Sequence, residues 1–197
     1  YTEGTSHHVG DEVLWRKDGT RFPVEYSSTP MEKDGRLVGA VITFRDITEI
    51  RHIHFMSDSA LDLTRSGYWR IDYEDPDYYI SSERAAAIFG EEEKPDYRYH
   101  LMDEWHSRIL AADPRIAEAT GVHYAAAVEG SVPRYDYTYP YKRPTDGRIA
   151  WIRAIGNVVR DEHGNAGIMY GVAQDVTESV NAQQELQARV KELNEAQ

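Results

Sequence analysis

Eight histidines, thirty-four carboxylates and fourteen tyrosines are the groups in this chain able to do chemistry, and there is no cysteine. Without a thiol, disulfides, thiolate metal sites and cysteine nucleophiles are excluded. His7-His8 and His52-x-His54 are close pairs. Neither brings the further ligands a zinc site needs, so both are expected at the surface with no metal bound. Carboxylates cluster at Asp72 with Glu74 and along Glu91 to Glu93, and solvation is the simplest reading of both groups. No Walker A loop, His-Glu-x-x-His pair or Gly-x-Ser-x-Gly elbow occurs, so no catalytic residue is assigned.

The tyrosines are more informative. Tyr135, Tyr137, Tyr139 and Tyr141 recur at every second residue, which places them on one face of a single strand. Trp151, Met169 and Tyr170 sit on neighbouring strands. Tyrosine has an apolar ring and a polar tip, and suits either a wet aromatic pocket under helices or an outward interface. Both readings stay open at the level of sequence. Trp69, Phe89, Trp151 and Ile168 are expected to be buried.

Twenty-two basic against thirty-four acidic residues give a net charge of −12, which repels a phosphate backbone. The densest basic clusters, Arg16-Lys17 and Lys142-Arg143, each adjoin an Asp-Gly turn and read as solvated strand ends, so no nucleic-acid partner is expected. No apolar run approaches the ~18 residues of a membrane span. The stretch from Tyr1 lacks a basic region followed by an apolar one, so no secretory leader is expected. The expected setting is cytoplasmic, either free or as the cytosolic part of a membrane-anchored protein.

What positions these residues is a repeat at domain scale. Gly35 to Glu49 reads GRLVGAVITFRDITE and Gly164 to Glu178 reads GNAGIMYGVAQDVTE. Upstream of each lies an Asp-Gly turn, Asp18-Gly19 or Asp146-Gly147, between alternating strands. The first copy predicts strands over Glu12–Arg16, Arg21–Ser28 and Val38–Arg45, three strands that cannot bury an apolar face alone. The second predicts strands at Tyr68–Tyr73 and Tyr78–Ile80, then a helix Glu83–Phe89 capped by Ser81 or Ser82 and stopped by Gly90. A helical stretch over Asp103–Leu110 and a helix Pro114–Val128 ending at Gly130 follow. The strands Arg134–Lys142, Arg148–Arg160 and Gly167–Gln174 complete it. That order predicts an α+β fold: an antiparallel five-stranded sheet with helices on one face.

These blocks resemble the PAS family with its C-terminal PAC region. WRKDGTRFPVEYSSTPMEKDGRLVGAVITFRDITE is similar to the last three strands of such sensor modules, and YPYKRPTDGRIAWIRAIGNVVRDEHGNAGIMYGVAQDVTE to those common in hybrid histidine kinases. The resemblance implies four parts: residues 1–49 as the C-terminal part of a first PAS domain, 50–66 as a linker helix, 67–178 as a complete second PAS domain, and 179–197 as an output coiled-coil helix. It implies a signal junction at Asp46, Thr48 and Glu49 and again at Asp175, Thr177 and Glu178. There each Asp acts as an N-cap and each Glu closes a capping box. It makes His123 the one haem-ligand candidate, and adds it to the pocket set of Trp69, Phe89, Tyr135, Tyr137, Tyr139, Trp151, Met169 and Tyr170. A flavin adduct is argued against by the missing cysteine and by Ala173 where light-sensing relatives carry glutamine. No cofactor is therefore expected, with haem or a non-covalent flavin as the alternatives and a small molecule as the other candidate ligand.

Leu186, Val190 and Leu193 follow a four-then-three spacing, a coiled-coil seam. Beside the resemblance this implies a homodimer through helices and a kinase core downstream in the same chain. The alternatives are the input region of a diguanylate cyclase or transcriptional regulator, or a haem or small-molecule sensor. The residues after Gln197 discriminate: a His-Glu-hydrophobic-Arg-Thr-Pro run marks a kinase, and Gly-Gly-Asp-Glu-Phe a cyclase.

Overall fold

The computed structural model describes the backbone of residues 7–195 and side chains from residue 12. The chain divides into two compact units, with the boundary between Ala60 and Leu61, inside helix α1 (Thr48–Leu63).

The first unit is an antiparallel meander, β1 (His7–Trp15), β2 (Arg21–Lys33) and β3 (Arg36–Asp46), in the order β1-β2-β3. Its two turns follow from sequence. Asp18 Oδ1 accepts from Thr20 N (2.9 Å) and Thr20 Oγ1 (2.7 Å). Asp34 and Gly35 have φ of 53° and 71°, the paired left-handed residues of a tight hairpin turn. Every residue of β3 is exposed, including Leu37, Val38, Val41, Ile42 and Phe44.

In the second unit β4 (Ser66–Asp72), β5 (Tyr78–Ser81), α2 (Glu83–Phe89) and β6 (Arg98–His100) come first. A π-helical turn, Leu101–His106, runs directly into α3 (Ser107–Ala112), followed by α4 (Pro114–Glu129). Strands β7 (Tyr135–Lys142), β8 (Ile149–Arg160) and β9 (Ala166–Asp175) lead to α5 (Thr177–Glu195). The sheet order is β6-β5-β4-β9-β8-β7, and each neighbouring pair is antiparallel.

The α+β class with one antiparallel sheet is thus what forms, but the sheet has six strands rather than the expected five. The extra strand is Arg98–His100, which pairs with Tyr78–Ile80; three residues are too few to show an alternating pattern. The expected helix over Asp103–Leu110 likewise begins as a π turn. Caps set the other helices. Ser82, not Ser81, caps α2 through Ala85 N (3.2 Å), Asp113 caps α4 through Arg115 N (2.9 Å), and Gly90 and Gly130 end the two helices at positive φ.

The core lies between the sheet's inner face and the helices. Trp69, Ile71, Tyr135, Tyr139, Tyr141, Ile152 and Met169 from the strands meet Phe89, Trp105, Ile109 and Ala117 from the helical side. Two glycines permit this packing. A Cβ on Gly67 would collide with the Ala85 backbone of α2, and one on Gly156 would lie 2.6 Å from Trp69 Cη2.

Candidate functional site: an aromatic cavity and a strand-to-helix junction

Between the inner face of the second sheet and the helices lies a cavity of about 30 Å³. Trp69 on β4, Tyr79 on β5, Phe89 on α2 and Tyr135 and Tyr139 on β7 line it, with Leu101, Trp105 and Tyr124 from the helical side. Trp105 Nε1 donates to Tyr139 Oη (3.0 Å), and the Tyr73 and Tyr124 hydroxyls share a hydrogen bond (3.1 Å). Burial raises the phenols of Tyr79, Tyr124, Tyr135 and Tyr139 above the ordinary tyrosine value, so each stays neutral. The wall therefore presents uncharged phenols and indoles.

Of the residues expected in a pocket, Trp69, Phe89, Tyr135 and Tyr139 come together on this cavity. The others do not. Trp151 and Tyr170 stand on the opposite face of the sheet, because their neighbours Ile152 and Met169 are the fully buried ones and a strand alternates. Trp151 and Ile168, expected to be buried, are only half-buried, and Tyr170 is exposed. Met169 is in the core beside Gly156, off the cavity wall. His123 is exposed on α4 and stacks on Tyr137 at 4.2 Å. The haem-ligand candidate His123 therefore lies off the cavity wall, and so does Tyr137. Tyr79, Leu101, Trp105 and Tyr124 line the wall without having been expected there. The i, i+4 pair Trp105 and Ile109 was the signal for one of them.

Glu91 also departs from expectation. It is 9% exposed rather than solvated, and its carboxylate accepts a hydrogen bond from the fully buried Tyr141 hydroxyl. Burial raises the Glu91 carboxyl above the usual range, against the opposing pull of that hydrogen bond. Lys94 is taken by Glu104, at 2.7 Å and 2.8 Å to its two oxygens.

The junction at the end of β9 is built around one hydroxyl. Thr177 Oγ1 donates to Asp175 Oδ1 (2.5 Å) and accepts from Trp151 N on β8 (2.8 Å). Asp175 Oδ1 also accepts from Thr177 N (2.9 Å), and Val176 N donates to the Trp151 carbonyl (2.8 Å). The first turn of α5 is thereby fastened to β8 and β9. The first copy repeats part of this: Thr48 N and Oγ1 donate to Asp46 Oδ1 (2.9 and 2.6 Å), and Ile47 N donates to the Pro23 carbonyl (3.1 Å). Pro23 occupies the place of Trp151 and has no N–H to offer Thr48. Instead Arg16 Nη2 lies 2.7 Å from Asp46 Oδ2. The Thr48 hydrogen bonds, with Arg16 contributing less, hold the Asp46 carboxyl below its ordinary value.

The expected capping boxes do not form. Asp46 and Asp175 are still strand residues, paired with Val24 and Ile152, and each carboxylate serves the residue two positions on. Glu49 and Glu178 are exposed, and neither takes part in the described hydrogen bonds. Of the basic clusters the arginines are used internally: Arg16 pairs with Asp46, and Arg143 lies 3.2 Å from Asp146 and reaches the Ile88 carbonyl (3.4 Å), whereas Lys17 and Lys142 are exposed. Among the described residues no group of three or more His, Asp and Glu could hold a metal. His52 and His54 are exposed on α1, and the side chains of His7 and His8 lie outside the described residues. No described helix is long and apolar enough to cross a membrane.

An antiparallel sheet with helices packed on one face around a small aromatic interior, ending in a fastened helix, defines an α+β class of domain. Family models identify it: residues 3–49 match one described as PAS domain, and residues 78–173 match one described as PAS fold. The chain belongs to the PAS family, represented by these two successive segments. It is similar in structure to a sensory box histidine kinase/response regulator from Burkholderia thailandensis E264, with 23% identity, coverage of 70% of this chain and 97% of that one, and a TM-score of 0.53. It is also similar to the N-terminal domain of a diguanylate cyclase with PAS/PAC sensor from Marinobacter aquaeolei, with 21% identity, coverage of 58% and 97%, and a TM-score of 0.48. No curated protein matches the chain.

Proposed function

We propose that this chain is the sensory and relay region of a cytoplasmic two-component sensor histidine kinase, which passes a change in the second PAS sheet into a dimeric output helix. The observation that carries the reading is the Thr177 hydroxyl, held between Asp175 and the Trp151 amide. Any relative movement of β8 and β9 must stretch or break a bond to the first turn of α5. The helix beyond exposes Leu186, Val190 and Leu193, a seam suited to a second copy around a two-fold axis. A kinase core following in the same chain would receive the movement as a change in how two helices cross. The input region of a diguanylate cyclase is the second reading, favoured by the same helix, which serves either output.

The test is Thr177→Val in the longer protein that carries this segment. Loss of one hydroxyl costs about 1 kcal/mol, too little to unfold the domain. The autophosphorylation rate should change several-fold while the far-ultraviolet circular dichroism stays the same. An unchanged rate, in a variant whose Trp151 amide exchanges faster with deuterium, would remove the relay. Absence of any phosphohistidine in the parent protein would remove the kinase.

A further inference from the structure

Three buried polar atoms of the second unit have no hydrogen-bond partner among the described residues and belong to residues on the wall of one cavity: Trp69 Nε1, Tyr79 Oη and Tyr135 Oη. These residues are 7%, 3% and 2% exposed, so bulk solvent does not reach them. A buried donor left without a partner is penalised by its full loss of hydration, and native interiors almost always satisfy it. A fourth group has spare capacity: Tyr139 Oη accepts from Trp105 Nε1 and still has its own proton to donate. Neighbouring side chains are already committed. Tyr124 is paired with Tyr73, and Gly156 gives the Trp69 indole its place against the sheet, so the indole cannot turn to find another acceptor.

The cavity that these residues line measures about 30 Å³. A buried water needs roughly 10–15 Å³ and two to four polar partners, so this space holds about two. It is an order of magnitude below the several hundred Å³ of a pocket for a drug-sized ligand. Its wall carries no charge, because burial keeps the phenols protonated, so an ion gains nothing by entering. We propose that this cavity is a binding site for two ordered water molecules, which accept from the Trp69 indole and bridge the Tyr79, Tyr135 and Tyr139 hydroxyls, and that this water completes the core. Trp69 pairs with Gly171 on β9, four residues before Asp175. The hydrated groups are thus one strand away from the fastened helix. The inference does not depend on the kinase reading, since it concerns only the interior of the second unit.

The test uses the unmodified chain first. With indole-¹⁵N tryptophan, the Trp69 Nε1 proton should show a cross-peak of the bound-water sign at the water frequency. Dissolved xenon should leave the methyl resonances of Ile71 and Leu101 in place, because a wet polar cavity does not admit it. Tyr79→Phe and Tyr135→Phe supply a second measurement with a definite sign. If each hydroxyl holds water, its removal should lower Tm by about 2–4 °C; if each is orphaned, its removal raises Tm. A missing water cross-peak together with xenon shifts at Ile71 and Leu101 would overturn the proposal. So would a rise in Tm in both variants.

Discussion

Glu91 is the residue at which burial and ionisation conflict most directly. Its carboxyl is held mainly by burial above the ordinary value while Tyr141 donates to it. A carboxyl with a raised folded-state value binds its proton more tightly in the native than in the unfolded chain. It therefore favours folding most at low pH, and that contribution is lost as pH rises through the folded value. Glu91→Gln keeps an acceptor for Tyr141 and removes the charge. The variant should gain in Tm over the parent as pH rises from below the ordinary glutamate value through the raised folded value, and the difference should be smallest at the acid end. A difference independent of pH would show that the carboxylate is not strained. Gly156 is the opposite case, a position that works by having no side chain. Gly156→Ala would set a Cβ 2.6 Å from Trp69 Cη2, and overpacking of this kind costs about 1–3 kcal/mol. Urea denaturation should give that loss with an unchanged m-value.

Among the elements, α5 carries the clearest demand for a partner. Leu186, Val190 and Leu193 are 64%, 50% and 69% exposed, and an isolated helix of this length is marginal in water. Replacing Leu186 and Leu193 by Lys should weaken self-association at least tenfold in sedimentation equilibrium and leave the six-stranded sheet folded. The same oligomeric state before and after would place the contact elsewhere. The strands show how far pattern reading reaches. Asp-Gly turns and alternation located β7, β8 and β9 because Tyr135 to Tyr141 and the closing strands have long, regular registers. They did not assign the faces of β8 and β9. In β8 the inward set is Ala150, Ile152 and Ala154, and the outward set includes Trp151 and Ile155. With apolar residues at both parities, side-chain size pointed the wrong way. The small alanines face inward because the large aromatic rings of Trp69 and β7 already fill that side. Tyr79 lay on a four-residue strand, too short to reveal its face, and Trp105, on a π turn, was marked only by its i, i+4 spacing with Ile109.

At the scale of the whole molecule the two units differ in how much they bury. The core cluster belongs to the second unit, whereas β3 of the first is exposed along its whole length. Sub-global opening follows buried contacts. Deuterium exchange should therefore reach the amides of β2 and β3 at least ten times faster than those of β8 and β9. Equal protection across both units would mean that they open as one cooperative body.

The substitution of Pro23 for Trp151 at equivalent places has one more consequence. Both strand-to-helix joints rest on an Asp and a Thr. The later one adds a bond between neutral groups, the Trp151 amide and the Thr177 hydroxyl, whereas the earlier one adds an exposed ion pair, Arg16 with Asp46. Dissolved salt weakens an exposed ion pair and leaves a hydrogen bond between uncharged groups nearly untouched. Raising ionic strength from 0.05 to 1 M, as round working values, should therefore loosen the start of α1 and spare the start of α5. Amide exchange at Thr48 should quicken while that at Thr177 holds, so that one chain contains a salt-tuned joint and an untuned one of the same design.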